Sequence, residues 1–184
     1  MKARIRTARG GDAGAIARVH VATWRTAYAG LVPDDYLIAL SEARMRRQWQ
    51  AALLRDRGEA VLVVETAAGE VVGFGSAGPL RGGALACRGE VYTLYVTPDW
   101  QNRGLGRALL GGLFAGLFAQ QCDDAAIWVL SGNPSRFFYE ALGGKPSAER
   151  REAFAGTLLH ETAYVWPDLA GWLRCRQRQG GQLP

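Results

Sequence analysis

The sequence predicts a single domain of mixed α/β class. Its 184 residues are 48% hydrophobic and 21% charged, which is enough apolar material for one buried core. Segments with strand periodicity alternate with amphipathic helical segments in the order β-α-α-α-β-β-β-α-β-α-β-β. No internal repeat or linker interrupts this order, so the folded domain is expected to span residues 1–170.

The first half of the chain is predicted to form one strand followed by three helices. Each helix begins at a residue suited to a first turn, either an Asp or Ser cap or a proline. The predicted elements are a strand at 3–8, a helix from Asp12 to about Tyr28, a short helix from Pro33, and a helix from Ser41 to about Gly58.

The second half carries most of the sheet. Strand-forming residues are concentrated in short runs separated by glycine, proline and aspartate. Three glycines in the fourth helix, Gly111, Gly112 and Gly116, indicate that it packs closely against its neighbours. The predicted elements are a hairpin at 60–66 and 71–77, a strand at 90–96, a helix from 105 to about 117, a strand at 126–130, a helix from Asn133 to Gly143, and two strands within 150–166.

The net charge of +5 is concentrated at the C-terminus. The last 11 residues hold three arginines and no acid, so the rest of the chain carries only +2. Residues 171–184 are therefore expected to form a basic tail with a frayed end, outside the domain. A nearly neutral body disfavours nucleic-acid binding, which uses a concentrated basic surface.

The cysteines and apolar runs exclude several classes of protein. Cys87, Cys122 and Cys175 lie 35 and 53 residues apart, which fits neither a disulfide framework nor a paired metal site. The longest apolar run, residues 108–119, is too short to cross a membrane. No apolar stretch follows the charged first residues as in a signal peptide. We expect a cytoplasmic protein with reduced thiols and no metal.

The segment Gln101–Arg107 joins a predicted strand to a predicted helix and is rich in glycine. Such a junction presents unpaired backbone N–H groups at the positive end of the helix dipole, which suits a pyrophosphate. A P-loop would need Gly-Lys-Ser/Thr, and a dinucleotide fingerprint would need glycine where Leu109 stands. The residues alone leave open a second interpretation, a purely structural turn.

Two motifs resemble those of the GNAT superfamily of N-acetyltransferases. The first is Tyr95–Gln101 followed by Gly104–Leu110, where a strand precedes a Gln-x-x-Gly-x-Gly loop and a long helix. The second begins at Asn133 and continues through Phe138–Glu140 to Gly143. The resemblance implies a mixed, mostly antiparallel sheet that is splayed at its central strands, with helices on both faces.

The resemblance also implies acetyl-CoA as cosubstrate. Backbone groups of the strand before the loop pair with the pantetheine arm, and backbone N–H groups of the loop hold the pyrophosphate. The cofactor-binding residues implied are Leu94, Tyr95, Val96, Gln101, Asn102, Arg103, Gly104, Leu105, Gly106, Arg107, Asn133 and Arg136.

Direct transfer of the acetyl group to an amine is the expected mechanism. The only histidines, His20 and His160, lie in no nucleophile motif, so an acyl-enzyme has little support. Tyr139 matches the general acid of the family and would protonate the departing thiolate, whereas a locally bonded ring is the structural alternative. Glu90 is the expected base, acting directly or through a water. Its alternative is a strand-end carboxylate that faces solvent.

The acceptor site is expected to be walled by Trp24, Tyr28 and Tyr92. The segment 20–37 resembles the helical region of one GNAT subgroup, although single aromatics on an amphipathic helix are also typical core residues. His20 shares this stripe and is expected to be buried and hydrogen-bonded. By strict alternation Tyr92 shares a face with Glu90, Leu94 and Val96, unless the bulge common in this strand of the family intervenes.

Two positions depart from the pattern of the second motif. Asn133 and Tyr139 are six residues apart where many members have seven, and Gly144 replaces an aromatic residue. The predicted function is transfer of acetyl from acetyl-CoA to a primary amine, on a small molecule or a peptide terminus. The alternative is a non-catalytic acyl-CoA-binding sensor. Neither nucleic acid nor membrane is an expected partner, and a homodimer is expected only from the family.

Overall fold

The computed structural model describes residues 3–55, 58–83 and 85–180. Its elements agree in order with the prediction, apart from two short 3₁₀ turns and an additional C-terminal helix. The strands are β1 (Ala3–Thr7), β2 (Ala60–Thr66), β3 (Val71–Pro79), β4 (Gly89–Val96), β5 (Ala125–Leu130), β6 (Lys145–Phe154) and β7 (Thr157–Trp166). The helices are α1 (Ala13–Ala27), α2 (Asp34–Ala39), α3 (Glu42–Leu53), α4 (Leu105–Ala119), α5 (Ser135–Ala141) and α6 (Leu169–Gly180).

The sheet has the order β1-β2-β3-β4-β5-β7-β6. Every neighbouring pair is antiparallel except β4 and β5, which are parallel and meet only through the pairs Gly89–Ala125 and Glu90–Ala126. Beyond Glu90 the two central strands separate, because no further ladder pair joins them. The splayed, mostly antiparallel sheet expected from the sequence is therefore confirmed.

Helices cover both faces of the sheet. On one face α4 buries Leu109 and Leu113 against residues such as Val64 and Val91. On the other face α1 and α3 pack on β2 and β3, with Ile16 and Phe74 fully buried between them. None of the helices in the described ranges is long and apolar enough to cross a membrane.

The three glycines of α4 serve different contacts. A Cβ added at Gly112 would lie 2.8 Å from a δ-methyl of Leu62, so α4 approaches β2 closely at this residue. A Cβ at Gly116 would meet Ala60 at an ordinary 3.9 Å. Gly111 faces the Arg176 guanidinium on α6 and not the sheet. The prediction of close packing therefore holds at Gly112 and Gly111 but not at Gly116.

A β-bulge interrupts β4 at Tyr92. Thr93 pairs with Ser76 and Val91 pairs with Ala77, which leaves Tyr92 as the extra residue. Val91 and Leu94 consequently pack into the same core cluster beneath α4. Strict alternation of Glu90 and Tyr92 with Leu94 and Val96 is wrong, because the inserted residue reverses the faces on either side of it.

One of the two predicted side-chain helix caps is present in the structure. Ser41 caps α3 as predicted, its Oγ accepting a hydrogen bond from the Arg44 N–H at 3.4 Å. Asp12 occupies the N-cap position of α1 but its carboxylate makes no cap hydrogen bond there. It accepts instead from the Arg9 N–H at 2.7 Å and pairs with Arg6. Helix α3 ends at Leu53, earlier than predicted.

The expected tail begins inside α6. Residues 171–176 are helical, and the Trp172 Nε1 donates to the Leu142 carbonyl at 2.8 Å while its ring packs edge-on against Phe114. Arg176 donates to the Arg107 carbonyl of α4 at 2.5 Å. The first part of the expected tail is therefore a docked helix, held by an aromatic anchor. Residues 181–184 lie outside the described residues.

We predict opposite outcomes for two alanine substitutions in α4. Gly116→Ala should raise Tm by about 2–4 °C, since alanine favours a helix over glycine by up to about 1 kcal/mol. Gly112→Ala should not raise Tm, because the Leu62 methyl that lies 2.8 Å from the added Cβ must move. Thermal unfolding of both variants checks this, and equal increases would contradict the close approach at Gly112.

Candidate active site

A cleft opens where β4 and β5 part. It encloses a cavity of about 100 Å³ between the two strands, one side of α1 and the start of α5. No Asp, Glu, Lys, Arg or His side chain is among its lining residues within the described part of the chain. The lining consists of Thr23, Ala27, Tyr28, Tyr92, Thr93, Leu94, Tyr95, Val96, Gln101, Ile127, Trp128, Val129, Asn133, Ser135 and Tyr139.

The backbone of β4 turns two sets of polar groups toward this cleft. The Thr97 N–H donates to the Val72 carbonyl, which makes Thr97 and Val72 a hydrogen-bonded pair of the β3–β4 ladder. Hydrogen-bonded and non-hydrogen-bonded pairs alternate in an antiparallel ladder. Leu94 and Val96 therefore direct their N–H and C=O groups away from β3, toward the side where β5 has separated.

The loop before α4 has the backbone geometry of an anion site. Asn102 and Gly104 adopt left-handed conformations, with φ of 59° and 75°. The Ala108 N–H donates to the Gly104 carbonyl, so the N–H groups of residues 105–107 precede the first helical hydrogen bond. These groups point out of the helix start, where the helix dipole is positive. The arrangement suits an anionic ligand held by backbone.

Arginine and glutamine side chains around the loop have other partners. The Gln101 Nε2 donates to the Val96 carbonyl at 2.9 Å, which ties the loop to the end of β4. The Arg103 guanidinium lies 5.0 Å from the Trp100 ring centroid. Arg136 on α5 lies over the ring of Phe137, which is 56% exposed. These cations therefore lie outside the lining of the cleft.

Asn133 joins the cleft and caps α5. Its Oδ1 accepts from the Ser135 N–H at 2.8 Å, so the amide's donor end remains for a ligand. Gly144, which replaces the usual aromatic residue, lies against Trp166: a Cβ there would be 2.7 Å from the indole ring. The large Trp166 ring takes the space that an aromatic residue at 144 would fill.

Tyr139 presents its hydroxyl to the cleft from a buried position. The residue is 5% exposed, and its ring packs against Phe138 and Trp166. Burial raises the pKa of the Tyr139 phenol above its ordinary value, with a smaller contribution from Tyr28. No hydrogen bond joins the Tyr139 hydroxyl to another described residue. The phenol is thus protonated at neutral pH and available to a ligand.

Glu90 lies at the closed end of the cleft and is not part of its lining. Its carboxylate is 2% exposed and accepts two hydrogen bonds from Arg81, from the backbone N–H at 2.8 Å and the guanidinium at 2.7 Å. The same guanidinium stacks on the Tyr92 ring at 3.9 Å, and the Tyr92 hydroxyl donates to the Pro79 carbonyl. Glu90 is therefore a buried, ion-paired carboxylate and not a solvent-facing one.

Aromatic residues build the α1 side of the site. The Trp24 and Tyr28 rings lie 4.6 Å apart, and both bond to the Tyr95 hydroxyl of β4, at 3.1 and 3.3 Å. Tyr36 and Phe154 extend this cluster outward from Trp24. Only Tyr28 and Tyr95 of the five reach the cavity itself, so Trp24 supports the wall from behind.

His20 is hydrogen-bonded, as the sequence predicts, but it is partly and not fully buried. Its Nδ1 accepts from the Trp49 Nε1 at 3.2 Å, and its ring stacks on Trp24. Burial lowers the pKa of His20 to about 4, so the ring is neutral near pH 7. The exposed His160 on β7 takes no part in the cleft.

Several lining residues escape sequence reasoning. Ile127, Trp128 and Val129 line the cleft only because β5 has separated from β4. Thr23 looks like any small polar residue on a helix until its burial is known. Arg81 lies in a glycine-rich loop that contains no recognisable motif. Apart from the opposite charges, nothing in the sequence indicates that Arg81 contacts Glu90.

Comparison with known proteins identifies the family. The model of the acetyltransferase (GNAT) family matches residues 20–144. The uncharacterized N-acetyltransferase YuaI of Bacillus subtilis (strain 168) is 36% identical over 166 residues, which cover 90% of this chain and 94% of that protein. The chain belongs to the GNAT family of acetyltransferases. The resemblance and the enzyme class expected from the sequence are confirmed.

Solved structures show the same fold at lower identity. A ribosomal-protein-alanine N-acetyltransferase from Brucella melitensis matches with a TM-score of 0.69 at 23% identity, covering 89% of this chain and 98% of its own. A phosphinothricin acetyltransferase from Sinorhizobium meliloti, in complex with acetyl-CoA, matches with a TM-score of 0.67 at 21% identity, covering 91% and 89%. Both solved structures share the fold of this chain.

We predict that the free energy of unfolding decreases in acid, because His20 is neutral in the folded chain. The unfolded chain binds a proton near pH 6.5 whereas the folded ring binds it only near pH 4. Stability is therefore full above pH 6.5 and falls between 6.5 and 4, by at most about 3 kcal/mol. Urea unfolding of His20→Gln at several pH values should show a shallower fall than the wild type. The exposed His160→Gln serves as the control, and equal slopes in all three proteins would contradict the prediction.

Proposed function

We propose that the chain transfers an acetyl group from acetyl-CoA to a primary amine by direct attack. The observation that carries this proposal is the parting of β4 and β5 beside the free N–H groups that begin α4. The first provides backbone groups at Leu94 and at the Val96 N–H that no neighbouring strand uses, for an extended, amide-containing arm, whereas the Val96 carbonyl already accepts from Gln101. The second provides an anion site at one end of the cleft for a pyrophosphate.

The neutral cleft suits the reacting centre. A thioester carries no charge, and the cavity beside β4 is lined by backbone, hydroxyl and apolar groups. The amine nitrogen attacks the thioester carbonyl carbon, forming the C–N bond and then breaking the C–S bond. The nitrogen loses a proton to a base, and the departing thiolate gains one from the Tyr139 hydroxyl. Solvent then restores the proton of Tyr139.

Tyr139 fits the role of general acid because its hydroxyl is protonated, buried and without a protein partner. Burial penalises a phenolate and a thiolate alike, so the raised pKa of Tyr139 does not by itself oppose proton transfer to sulfur in the same cleft. Glu90 is the base we propose. Since the carboxylate is outside the cavity lining, a water would carry the proton from the amine to it.

Arg81 must be considered with Glu90. The guanidinium occupies one carboxylate oxygen and is itself 61% exposed on its side chain, so it can leave toward solvent. When the guanidinium has left, a water molecule can occupy its place at Glu90 and deliver the proton that the acceptor amine loses. Trp24, Tyr28 and Tyr92 are proposed to frame the acceptor, with the aromatic wall selecting a partly apolar amine.

A panel of amines tests whether the chain transfers acetyl groups. CoA release is followed with acetyl-CoA and each of phenethylamine, spermidine, kanamycin and a peptide with a free N-terminal alanine. We expect release above background with at least one amine, and Tyr139→Phe should lower its kcat by about 10²-fold or more while the acetyl-CoA Kd stays within about twofold. Acetyl-CoA binding without turnover of any amine would favour a non-catalytic sensor, and an unchanged kcat in Tyr139→Phe would remove Tyr139 as the acid.

Gly104 should be required for CoA binding beyond its effect on folding. Its φ of 75° is strained for alanine, and the altered loop would misalign the N–H groups at the start of α4. Gly156, with φ of 80° in the β6–β7 turn, carries the same strain in open space and away from this loop, and gives a matched control. Isothermal titration should show weaker CoA binding in Gly104→Ala but not in Gly156→Ala. Equal affinities would place the pyrophosphate elsewhere.

A further inference from the structure

Thr23 carries a buried hydroxyl that no other group satisfies. The residue is 4% exposed on α1, and its Oγ1 is the one buried side-chain polar atom without a hydrogen-bond partner in the described part of the chain. Thr26, one turn further on, shows the usual solution, donating its hydroxyl to the Ala22 carbonyl at 3.2 Å. An unpaired buried hydroxyl is destabilising, so its presence requires an explanation.

Two pairs of hydroxyls in and beside the cleft are satisfied within the protein. Ser76 and Thr93 bond to each other at 2.7 Å, and the Tyr28 hydroxyl bonds to Tyr95 at 3.3 Å. Thr23 lies in the same lining but takes no part in these pairs. Its hydroxyl is therefore the free hydrogen-bonding group that α1 offers to a molecule in the cavity.

The position of Thr23 distinguishes the two reactants. The thioester arm follows β4, and the thiolate leaves toward Tyr139 on α5 in the mechanism proposed above. Thr23 belongs to neither element but to α1, whose next turn contributes Ala27 and Tyr28 to the same wall. A nucleophile held on α1 faces a thioester held on β4 across a cavity of about 100 Å³.

We infer that Thr23 is a positioning residue for the acceptor, its Oγ1 accepting a hydrogen bond from the N–H of the attacking amine. The inference rests on the proposed acetyl transfer. An attacking nitrogen uses its lone pair on the carbonyl carbon, so its N–H groups need acceptors on the opposite side. Because no carboxylate is among the described residues that line the cavity, a neutral hydroxyl favours the uncharged amine, which is the nucleophilic form.

Three variants separate this role from a structural one. Thr23→Val removes the hydroxyl at nearly constant shape, Thr23→Ser keeps it, and Thr26→Val removes a hydroxyl from the same helix outside the cleft. Steady-state kinetics use the amine of the panel that wild type turns over fastest. Thermal unfolding is measured alongside, because loss of an unpaired buried hydroxyl should not lower Tm.

Thr23→Val is expected to raise the amine KM roughly 3- to 10-fold, the size of one hydrogen bond, with the acetyl-CoA KM unchanged and Tm equal or higher. Thr23→Ser and Thr26→Val should retain the wild-type amine KM. An unchanged amine KM in Thr23→Val, a shift in the acetyl-CoA KM instead, or an equal loss in Thr26→Val overturns the role of Thr23. Absence of turnover in wild type overturns the proposed function and this inference with it.

Discussion

The early end of the β4–β5 ladder is the constraint on which the site depends. Two residue pairs hold the strands together, and the ladder stops after Glu90. If pairing had continued, the backbone groups of Leu94 and Val96 would be used within the sheet and no cavity would exist. The bulge at Tyr92 adds twist at the point of separation. The Tyr95 side chain, bonded to Trp24 and Tyr28, holds the separated part of β4 against α1.

Charged and neutral groups occupy different places around the cleft between β4 and β5. The cavity itself is neutral, while charged groups lie beyond its lining: the Glu90–Arg81 pair at the closed end and arginines near the loop before α4. Electrostatic interactions are strongest where water is excluded, so backbone dipoles inside such a cleft act at short range and with little screening. Backbone N–H groups need no charged side chain to attract an anion, so the nearly neutral body of the chain is compatible with the polyanionic ligand that we propose.

The sequence predicted those parts of the structure that local chemistry determines. The strand–loop–helix unit around Gly104, the hairpin of β2 and β3, and the Ser41 cap each depend on residues within a few positions of one another. The bulge at Tyr92 was not predictable, because its register is set by the partner strand β3. The contacts of Glu90 and Thr23 depend on how loops and helices pack, and neither residue type indicates its own burial.

The C-terminal segment shows how charge can mislead. Its arginines suggested an exposed tail, yet Trp172 provides an apolar anchor that binds the helix to α4 and α5. Composition describes the average of a segment, whereas docking depends on one or two large side chains. Most predicted site residues lie around the cleft or its loop. Trp24 and Glu90 lie behind the lining, and Arg136 lies over the exposed ring of Phe137.

The contact between Arg176 and the Arg107 carbonyl has a consequence for biosynthesis. A ribosome releases the chain from its N-terminus, so the loop and first turn of α4 emerge well before the helix that braces them. The Gly111 notch on α4 stays unfilled until Arg176 arrives. The first turn of α4 therefore gains this brace only after α6 has been synthesised, which makes the contact a late step in the formation of the domain.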